Sequence, residues 1–211
     1  MRLWLKDPIA VLADGAERGL VVEGRRIVEL VGRGREPAMP VDAVYDAGRH
    51  VIIPGLVNTH HHMFQTLTRA HPEAINKELF PWLAALFPIW ARHVKPDNLR
   101  LATRLALTEL LMAGCTTVSD HQYLFPPGLE SAMDIQAEEA TAAGMRMTLT
   151  RGSLNMSVED GGNAVAEATQ DVDTILADCE RVADRYHDAA EGAMLQVAFA
   201  PCAPFNVTKR L

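Results

Sequence analysis

Cysteine is scarce in this sequence, and its few copies lie far apart. Only three occur among 211 residues, at Cys115, Cys179 and Cys202. Small disulfide-stabilised domains carry an even number of cysteines at short intervals, so this pattern argues against a disulfide framework. It favours a reducing compartment, and we expect a cytoplasmic location.

Long apolar runs and basic clusters are also missing. No stretch approaches the roughly 20 apolar residues of a membrane-spanning helix, and Met1–Asp7 lacks the apolar run of a signal peptide. The 20 Lys and Arg residues are outnumbered by 27 Asp and Glu residues, which gives a net charge of −7. Because nucleic acid binding needs a basic face, we expect neither a nucleic acid nor a membrane as a partner.

The N-terminal segment predicts a small β-rich platform. Leu20–Glu23 and Arg26–Val31 are short runs that are rich in β-branched residues. Gly24 and Arg25 between them suit a tight hairpin turn. Val41–Asp46 is a further candidate strand. We expect these strands to form a sheet with a modest core, which supports a site rather than containing one.

After residue 50 the pattern changes to an alternation of apolar strands and amphipathic helices. Asp97 is a candidate helix N-cap, and Gly114 follows where a C-terminal glycine is expected. The helix between them is expected to bury a face of leucines, namely Leu101, Leu105, Leu107, Leu110 and Leu111. The predicted strands are 51–59, 115–120, 145–150 and 194–200, and the predicted helices are 98–112, 129–143 and 171–187.

This alternation predicts an α/β fold in which helices cover a parallel sheet. A barrel and an open sheet both fit the order of elements. No glycine-rich phosphate loop follows any of the strands, which disfavours an open nucleotide-binding sheet.

The length of the second segment limits how much of a barrel it can form. A complete (β/α)8 barrel of the TIM type needs about 250 residues, whereas 51–211 is a segment of 161 residues. We therefore expect a partial barrel of about four βα units, preceded by a small β-sandwich platform at 1–50. Thr208 looks like a helix N-cap, but only three residues follow it. We therefore expect the barrel domain, 51–211, to be truncated at its C-terminus.

The most informative motif is Asn58-Thr59-His60-His61-His62. Successive side chains of a strand point to opposite faces, so His60 and His62 share one face and His61 lies on the other. Two imidazoles on one face can reach a single metal ion at about 2.0–2.1 Å. The pair stands at the carboxyl end of the first predicted barrel strand, where barrel enzymes build their active sites. For His61 we expect a supporting hydrogen bond.

The context of this motif resembles a known family. Val51–His62 combines an apolar strand, Pro-Gly, a short apolar pair and H-x-H, and it resembles the opening motif of the amidohydrolase superfamily. The resemblance covers essentially the whole chain and is closer to the branch of cytosine/guanine-type deaminases and triazine hydrolases, above all to the 8-oxoguanine deaminases. The stretches that carry it are 60–65, 77–83, 114–117, 120–126 and 200–205.

The resemblance implies a mononuclear metal centre. In that family one divalent ion, usually zinc, is held by the H-x-H pair, a histidine on the fifth barrel strand and an aspartate on the eighth. A glutamate on strand five and a histidine on strand six move protons. Carried over to this chain, the pattern assigns His60 and His62 as metal ligands and places the other residues beyond Leu211. We expect zinc, with iron or manganese as alternatives.

Three side chains near the predicted catalytic face are candidate substrate contacts. Gln65 stands just past the metal pair, Arg151 ends the third predicted barrel strand, and Trp82 could stack on a flat ring. Each has a structural alternative, which is a cap or surface role for Gln65, an ion pair for Arg151 and packing for Trp82.

Asp120 and His121 end the second predicted barrel strand. Together with His61 they are expected to orient the metal ligands rather than to bind the metal themselves. Gln122 stands where near relatives are expected to carry a histidine, and this departure leaves that position without an assigned role.

The resemblance implies hydrolytic deamination of a purine-like heterocycle such as 8-oxoguanine, in which a metal-activated water molecule releases ammonia. The parent enzyme is expected to be a homo-oligomer, and this chain is expected to be inactive alone. A second interpretation is hydrolysis of a C–N or C–Cl bond of a triazine or another heterocycle. A third is a non-catalytic half-barrel that assembles with a separate second half. The absence of a lysine from Met194–Ala200 favours a mononuclear deaminase over a ring-amide hydrolase.

Overall fold

The computed structural model describes residues 1–211, which form two compact units, Met1–Gly55 and Leu56–Leu211. The strands of the first unit are β1 Arg2–Lys6, β2 Ala10–Val11, β3 Gly19–Glu23, β4 Arg26–Leu30, β5 Ala43–Asp46 and β6 Val51–Ile52. The second unit has strands β7 Leu56–His61, β8 Cys115–Gln122, β9 Arg146–Ser153 and β10 Leu195–Pro201. Its helices are α1 Leu79–His93, α2 Pro96–Met112, α3 Ala132–Ala143 and α4 Val172–Tyr186. None of the helices combines the length and the apolar character needed to cross a bilayer.

The first unit contains only strands, and its main sheet has the order β4-β3-β1-β5. β3 and β4 form the expected antiparallel hairpin, in which Gly24 has a positive φ of 59° that residues with a side chain rarely adopt. The core beneath the sheet is small and consists of Trp4, Val21 and Val31. β1 was not predicted, because charged residues flank its three apolar residues and mask its pattern.

The two units divide between Gly55 and Leu56, whereas the sequence pattern placed the division after residue 50. The difference arises at β6, since Val51–Ile52 pairs in parallel with Ala10–Val11 of the first unit. In the sequence this apolar pair looks continuous with the next strand. In the structure, β7 begins only after the intervening Pro54-Gly55.

The sheet of the second unit is wholly parallel, with β7, β8, β9 and β10 side by side in chain order. The connections between successive strands carry the helices, which confirms the predicted α/β alternation. The carboxyl ends of parallel strands lie at one edge of a sheet. This edge gathers the ends of the four strands at 60–62, 120–122, 151–153 and 200–201.

The helix α2 begins earlier and buries a different face than its leucines suggested. It starts at Pro96, with Lys95 as N-cap and Asp97 within the first turn, so the assignment of Asp97 as the cap was wrong. Leu101 and Leu105 are 57% and 37% exposed. The buried positions follow a 3.6-residue period and are mostly small, namely Leu99, Ala102, Thr103, Ala106 and Leu107.

The other helix ends follow their capping residues more closely. Gly144 directly follows α3, and Gly114 follows α2 after the C-cap Ala113; both have positive φ angles, as expected for glycines at helix C-termini. The Asp171 side chain accepts a hydrogen bond from the Thr174 amide at the start of α4. α3 begins at Ala132, three residues after its expected start at 129, and no helix follows Thr208. The predicted alternation of strands and helices did not include α1, which spans Leu79–His93.

Candidate metal centre

The end of β7 brings the rings of His60 and His62 together. Their Nε2 atoms are 3.0 Å apart, and the two ring planes are nearly perpendicular at 88°. His61, between them, lies on the face toward Asp120, with its Nδ1 atom 3.7 Å from the Asp120 Oδ1 atom. This is the alternation expected at a strand end, and it directs two imidazole nitrogens to one point.

The orientation of His62 is fixed by a backbone carbonyl on the neighbouring strand. Its Nδ1 atom lies 2.9 Å from the carbonyl oxygen of His121, and a carbonyl can only accept the proton. The Nε2 atom of His62 therefore carries the free lone pair. Burial lowers the pKa of His62, although the His121 carbonyl opposes the shift, and the ring is held in the neutral form that ligates metals.

The separation of the two nitrogens fits two ligands of one ion. In a tetrahedral site with metal–nitrogen bonds of about 2.0–2.1 Å, ligand nitrogens lie roughly 3.3 Å apart, and the observed distance is 3.0 Å. No group of three or more His, Cys, Asp or Glu residues in 1–211 is arranged to hold a metal. The pair therefore fits part of a zinc coordination shell, since zinc sites normally have at least three protein ligands.

Asp120 is fully buried and holds the backbone that follows the histidine pair. Its Oδ1 atom accepts a hydrogen bond of 2.6 Å from the amide of Met63, the first residue of a 3₁₀ turn, Met63–Thr68. Its Oδ2 atom accepts one of 2.6 Å from Gln136 Nε2 on α3. Asp120 contacts the backbone beyond His62, and it reaches neither candidate ligand by a direct hydrogen bond.

His121 contacts His62 through its backbone and lies beside it through its ring. The centroids of the two rings are 5.4 Å apart, and the Nε2 atom of His121 lies 3.0 Å from the carbonyl oxygen of Ala200. Burial lowers the pKa of His121. A Cβ atom at Gly152 would lie 2.5 Å from this Nε2 atom, so the ring needs a glycine on the adjacent strand.

Gln65 and Trp82 line the same cavity, which has a volume of about 230 Å³. The Gln65 Nε2 atom donates a hydrogen bond of 2.9 Å to the hydroxyl of Tyr123, which leaves its amide oxygen available for another partner. Trp82 is half-buried, and its ring packs edge-on against Trp90 at 5.3 Å. The structure thus brings two of the three candidate substrate contacts to one cavity.

Arg151 lies on the face of β9 that points away from the histidine pair, where it forms the ion pair that was its structural alternative. The guanidinium is buried and donates hydrogen bonds to Asp178 and Gln170, at 3.0 and 2.7 Å, while packing 4.0 Å from the Phe125 ring centroid. Neighbouring Thr150 is on the opposite face of β9, where its hydroxyl meets Ser119. The pleat therefore turns Arg151 toward the helices, and the ion-pair alternative holds.

Two residues of the site were missed by sequence reasoning. The Tyr123 ring stands 5.1 Å from the His62 ring, and burial raises the pKa of its hydroxyl, which therefore stays protonated. Its position two residues after His121 signals the same face. Gln136 carried no such signal, because a polar residue within a helix sequence ordinarily predicts an exposed face.

The comparisons with known proteins agree with this geometry. A model of the amidohydrolase family matches residues 51–211. The 8-oxoguanine deaminase of Pseudomonas aeruginosa is 53% identical over 213 residues, which cover 100% of this chain and 47% of that protein. An isoxanthopterin deaminase from an unknown prokaryotic organism is 39% identical over 208 residues, which cover 93% of this chain and 43% of that protein.

Among solved structures, atrazine chlorohydrolase from Arthrobacter aurescens TC1 complexed with zinc superposes with a TM-score of 0.86 at 25% identity. The match covers 100% of this chain and 48% of that one. The chain therefore spans about half the length of the relatives that it matches.

Proposed function

The chain belongs to the amidohydrolase family, and we propose that it provides one half of a zinc-dependent aminohydrolase that deaminates an oxidised purine such as 8-oxoguanine. The observation that carries the proposal is the pair of converging Nε2 atoms on His60 and His62. The 53% identity to an 8-oxoguanine deaminase along the whole chain supports the substrate class.

In this proposal His60 and His62 hold the ion, and the His121 carbonyl fixes the tautomer of His62. A bound zinc ion supplies a water molecule of lowered pKa as the nucleophile. Asp120 keeps the backbone after the pair in place through Met63. The remaining ligands and the groups that move protons are proposed to lie outside 1–211, so the 211-residue chain alone is expected to release no ammonia.

Gln65 and Trp82 are proposed to receive the heterocycle. The amide oxygen of Gln65 can accept a hydrogen bond from a ring N–H, because its nitrogen is already bound to the Tyr123 hydroxyl. Trp82 shares the cavity and offers an aromatic face for a planar ring. This arrangement suits a flat molecule with donors along its edge, as an oxidised purine has.

The proposal also includes the fold, the cellular location, the partners and the oligomeric state of the parent enzyme. We take the parallel sheet β7–β10 with its helices as part of a TIM-type barrel, and the first unit as part of a β-sandwich platform. Three free cysteines and a net charge of −7 support a cytoplasmic enzyme that binds a small heterocycle and no nucleic acid. A homo-oligomeric parent enzyme remains the expectation.

The test is an ammonia-release assay on the longest open reading frame that contains this sequence, loaded with zinc. We expect release from 8-oxoguanine and loss of activity in the variants His60→Asn and His62→Asn. The matched control is His93→Asn, at an exposed histidine near the end of α1, which should leave the rate unchanged. An enzyme that releases ammonia from none of 8-oxoguanine, guanine, isoxanthopterin and cytosine would refute the substrate class.

A second candidate is hydrolysis of a triazine. The superposition on atrazine chlorohydrolase favours it, since that structure covers this chain completely. The same assay separates the two functions when it includes a chlorinated triazine and records chloride as well as ammonia. Chloride release without ammonia from any purine would favour the triazine hydrolase.

A further inference from the structure

The side chain of Gln136 is fully buried, although it belongs to a helix that covers a sheet. It lies on α3, and its Nε2 atom donates hydrogen bonds to Asp120 Oδ2 at 2.6 Å and to Gln122 Oε1 at 3.2 Å. Asp120 and Gln122 are two residues apart on β8, so they share the face toward the helices. One carboxamide thus bridges two strand residues.

The geometry fixes which way this carboxamide points. The Oε1 atom of Gln136 has no hydrogen-bond partner, and a rotated amide would place it against the Asp120 carboxylate. Two acceptors, Asp120 Oδ2 and Gln122 Oε1, therefore select the donor end of Gln136. Burying a polar side chain with one atom unpaired costs stability, so its packing contribution alone does not explain a glutamine here.

Gln136 is connected to the histidine pair through two further residues, Asp120 and Met63. Both oxygens of Asp120 are occupied, one by Gln136 and the other by the amide of Met63. Met63 directly follows His62, whose ring is held by the carbonyl of His121, the residue after Asp120. Consecutive residues of β8 thus fix the backbone and the ring of His62, and Gln136 fixes the first of them.

We propose that Gln136 is a positioning residue of the metal centre, which acts on His62 through Asp120 and Met63. The inference rests on the proposed function, because it presumes that His60 and His62 bind a metal. Without the Gln136 donor, the Asp120 carboxylate is free to rotate from the Met63 amide, and the direction of the His62 ring loosens. Groups that orient metal ligands typically contribute about 10–100-fold to metal affinity.

The test is a zinc titration of the protein encoded by the longest open reading frame that contains this sequence, with the variant Gln136→Met, which keeps the length of the side chain and removes its donors. We expect the dissociation constant for zinc to rise about tenfold. Absorption spectra with cobalt in place of zinc should change as well, because they report ligand geometry. The control is Met133→Ala, which opens a cavity at a buried position of the same helix and should lower stability without changing zinc affinity.

A double-mutant cycle tests whether Gln136 acts on His62 through Asp120. In the background Asp120→Asn, the change Gln136→Met should have no further effect on zinc affinity, because the intermediate residue is already altered. If Gln136→Met does not fold, Gln136→Leu replaces it, because leucine also lacks a donor and has a volume similar to that of methionine.

The outcomes separate this inference from the proposed function. If the wild-type protein encoded by this reading frame binds no zinc, the metal centre is refuted, and the role of Gln136 with it. A wild-type chain that binds zinc while the Gln136 variants bind it equally well, with unchanged cobalt spectra, refutes only the role of Gln136. A lowered affinity that also appears in Met133→Ala marks a purely structural effect and likewise overturns it.

Discussion

At the scale of single residues, the pleat of a strand decides which side chains lie beside the histidine pair. His60 and His62 meet because they are two residues apart, and the alternation of a strand was sufficient to predict this. The same rule applied to β9 turns Arg151 away from the site, since Thr150 faces Ser119 on the other side. The place of Arg151 at a strand end made it a candidate substrate contact, but the end of a strand does not by itself give the face on which a side chain lies.

Arg151 is expected to stabilise the fold and to leave metal binding unaffected. The variant Arg151→Met removes the donors to Asp178 and Gln170. We expect the free energy of unfolding to fall by about 2–3 kcal/mol. This is below the cost of a fully isolated buried charge, because Arg181 still pairs with Asp178 at 2.8 Å. Urea denaturation measures the change, and a zinc titration checks the site.

The control for this substitution is Arg210→Met, which removes an exposed ion pair with Asp173. We expect no measurable change in its stability, because exposed ion pairs contribute little. If the Arg151→Met variant has wild-type stability but altered zinc or substrate binding, the result would support a functional role for Arg151 instead.

At the scale of elements, two arginines of α2 hold α3 through one carboxylate. Arg104 donates two hydrogen bonds to Glu139, at 2.8 and 3.0 Å, and Arg100 donates a third at 2.9 Å. The hydrogen bonds from Arg104, supported by those from Arg100, hold the pKa of Glu139 below its ordinary value of 4.5, although burial opposes them. The contact between the two helices therefore depends on pH.

The sign of this dependence follows from the lowered pKa. A carboxylate whose pKa is lower in the folded state stabilises the fold above its unfolded pKa, and the stabilisation is lost as the pH falls through the folded value. Glu139→Gln should therefore lower the free energy of unfolding at neutral pH. The difference from wild type should shrink below pH 4.5 and vanish below the folded pKa of Glu139. Urea denaturation across this pH range measures it.

The neighbouring substitution Glu138→Gln serves as the control, because Glu138 is exposed and pairs only with Arg100. It should have a smaller effect at every pH. A Glu139→Gln difference that stays constant from neutral to acid pH would show that the carboxylate contributes by its shape rather than by its charge.

Element ends were more predictable than helix faces. Gly114, Gly144 and Asp171 marked helix ends because a positive φ or a side-chain acceptor is a local requirement of the backbone. The buried face of α2 depends on which neighbour packs against it. The buried positions of α2 include the small residues Ala102 and Ala106, a preference that a count of leucines does not reveal.

At the scale of the whole molecule, the parallel sheet of the second unit has two outer strands. β7 carries Leu56 and Val57, which are 52% and 62% exposed, and β10 carries Phe199, which is 52% exposed. A cavity of about 610 Å³ lies between β10 and α4, distant in the sheet from β7. Outer strands with exposed apolar side chains promote association with other chains.

The 211-residue polypeptide is therefore expected to self-associate. In sedimentation velocity its mass should exceed that of a single chain and rise with concentration. Val57→Lys and Phe199→Lys should each shift it toward the monomer, because a charge on an outer strand disfavours pairing. The control is Ile9→Lys, at an exposed position of the first unit, which should leave the mass unchanged. A wild-type monomer at all concentrations would contradict this reading of the sheet.

The order of elements allowed the α/β class and the parallel sheet to be predicted from sequence alone. The boundary of the units was harder, because the pairing of β6 with β2 links segments that are some forty residues apart. Local patterns do not report such long-range pairing, which is decided by tertiary contacts. The family resemblance predicted the histidine pair. The structure added Tyr123, whose ring lies 5.1 Å from that of His62, and Gln136, which donates a hydrogen bond to Asp120.

Zinc binding by His60 and His62 is best tested by titration calorimetry together with X-ray absorption at the zinc edge. In the protein encoded by the longest open reading frame that contains this sequence, we expect one bound zinc ion with imidazole nitrogen ligands at about 2.0–2.1 Å. Affinity should fall at least about tenfold in His60→Ala and in His62→Ala, and stay unchanged in His93→Ala. Equal affinity in all of these variants, or a zinc spectrum without imidazole, would contradict zinc binding by this pair.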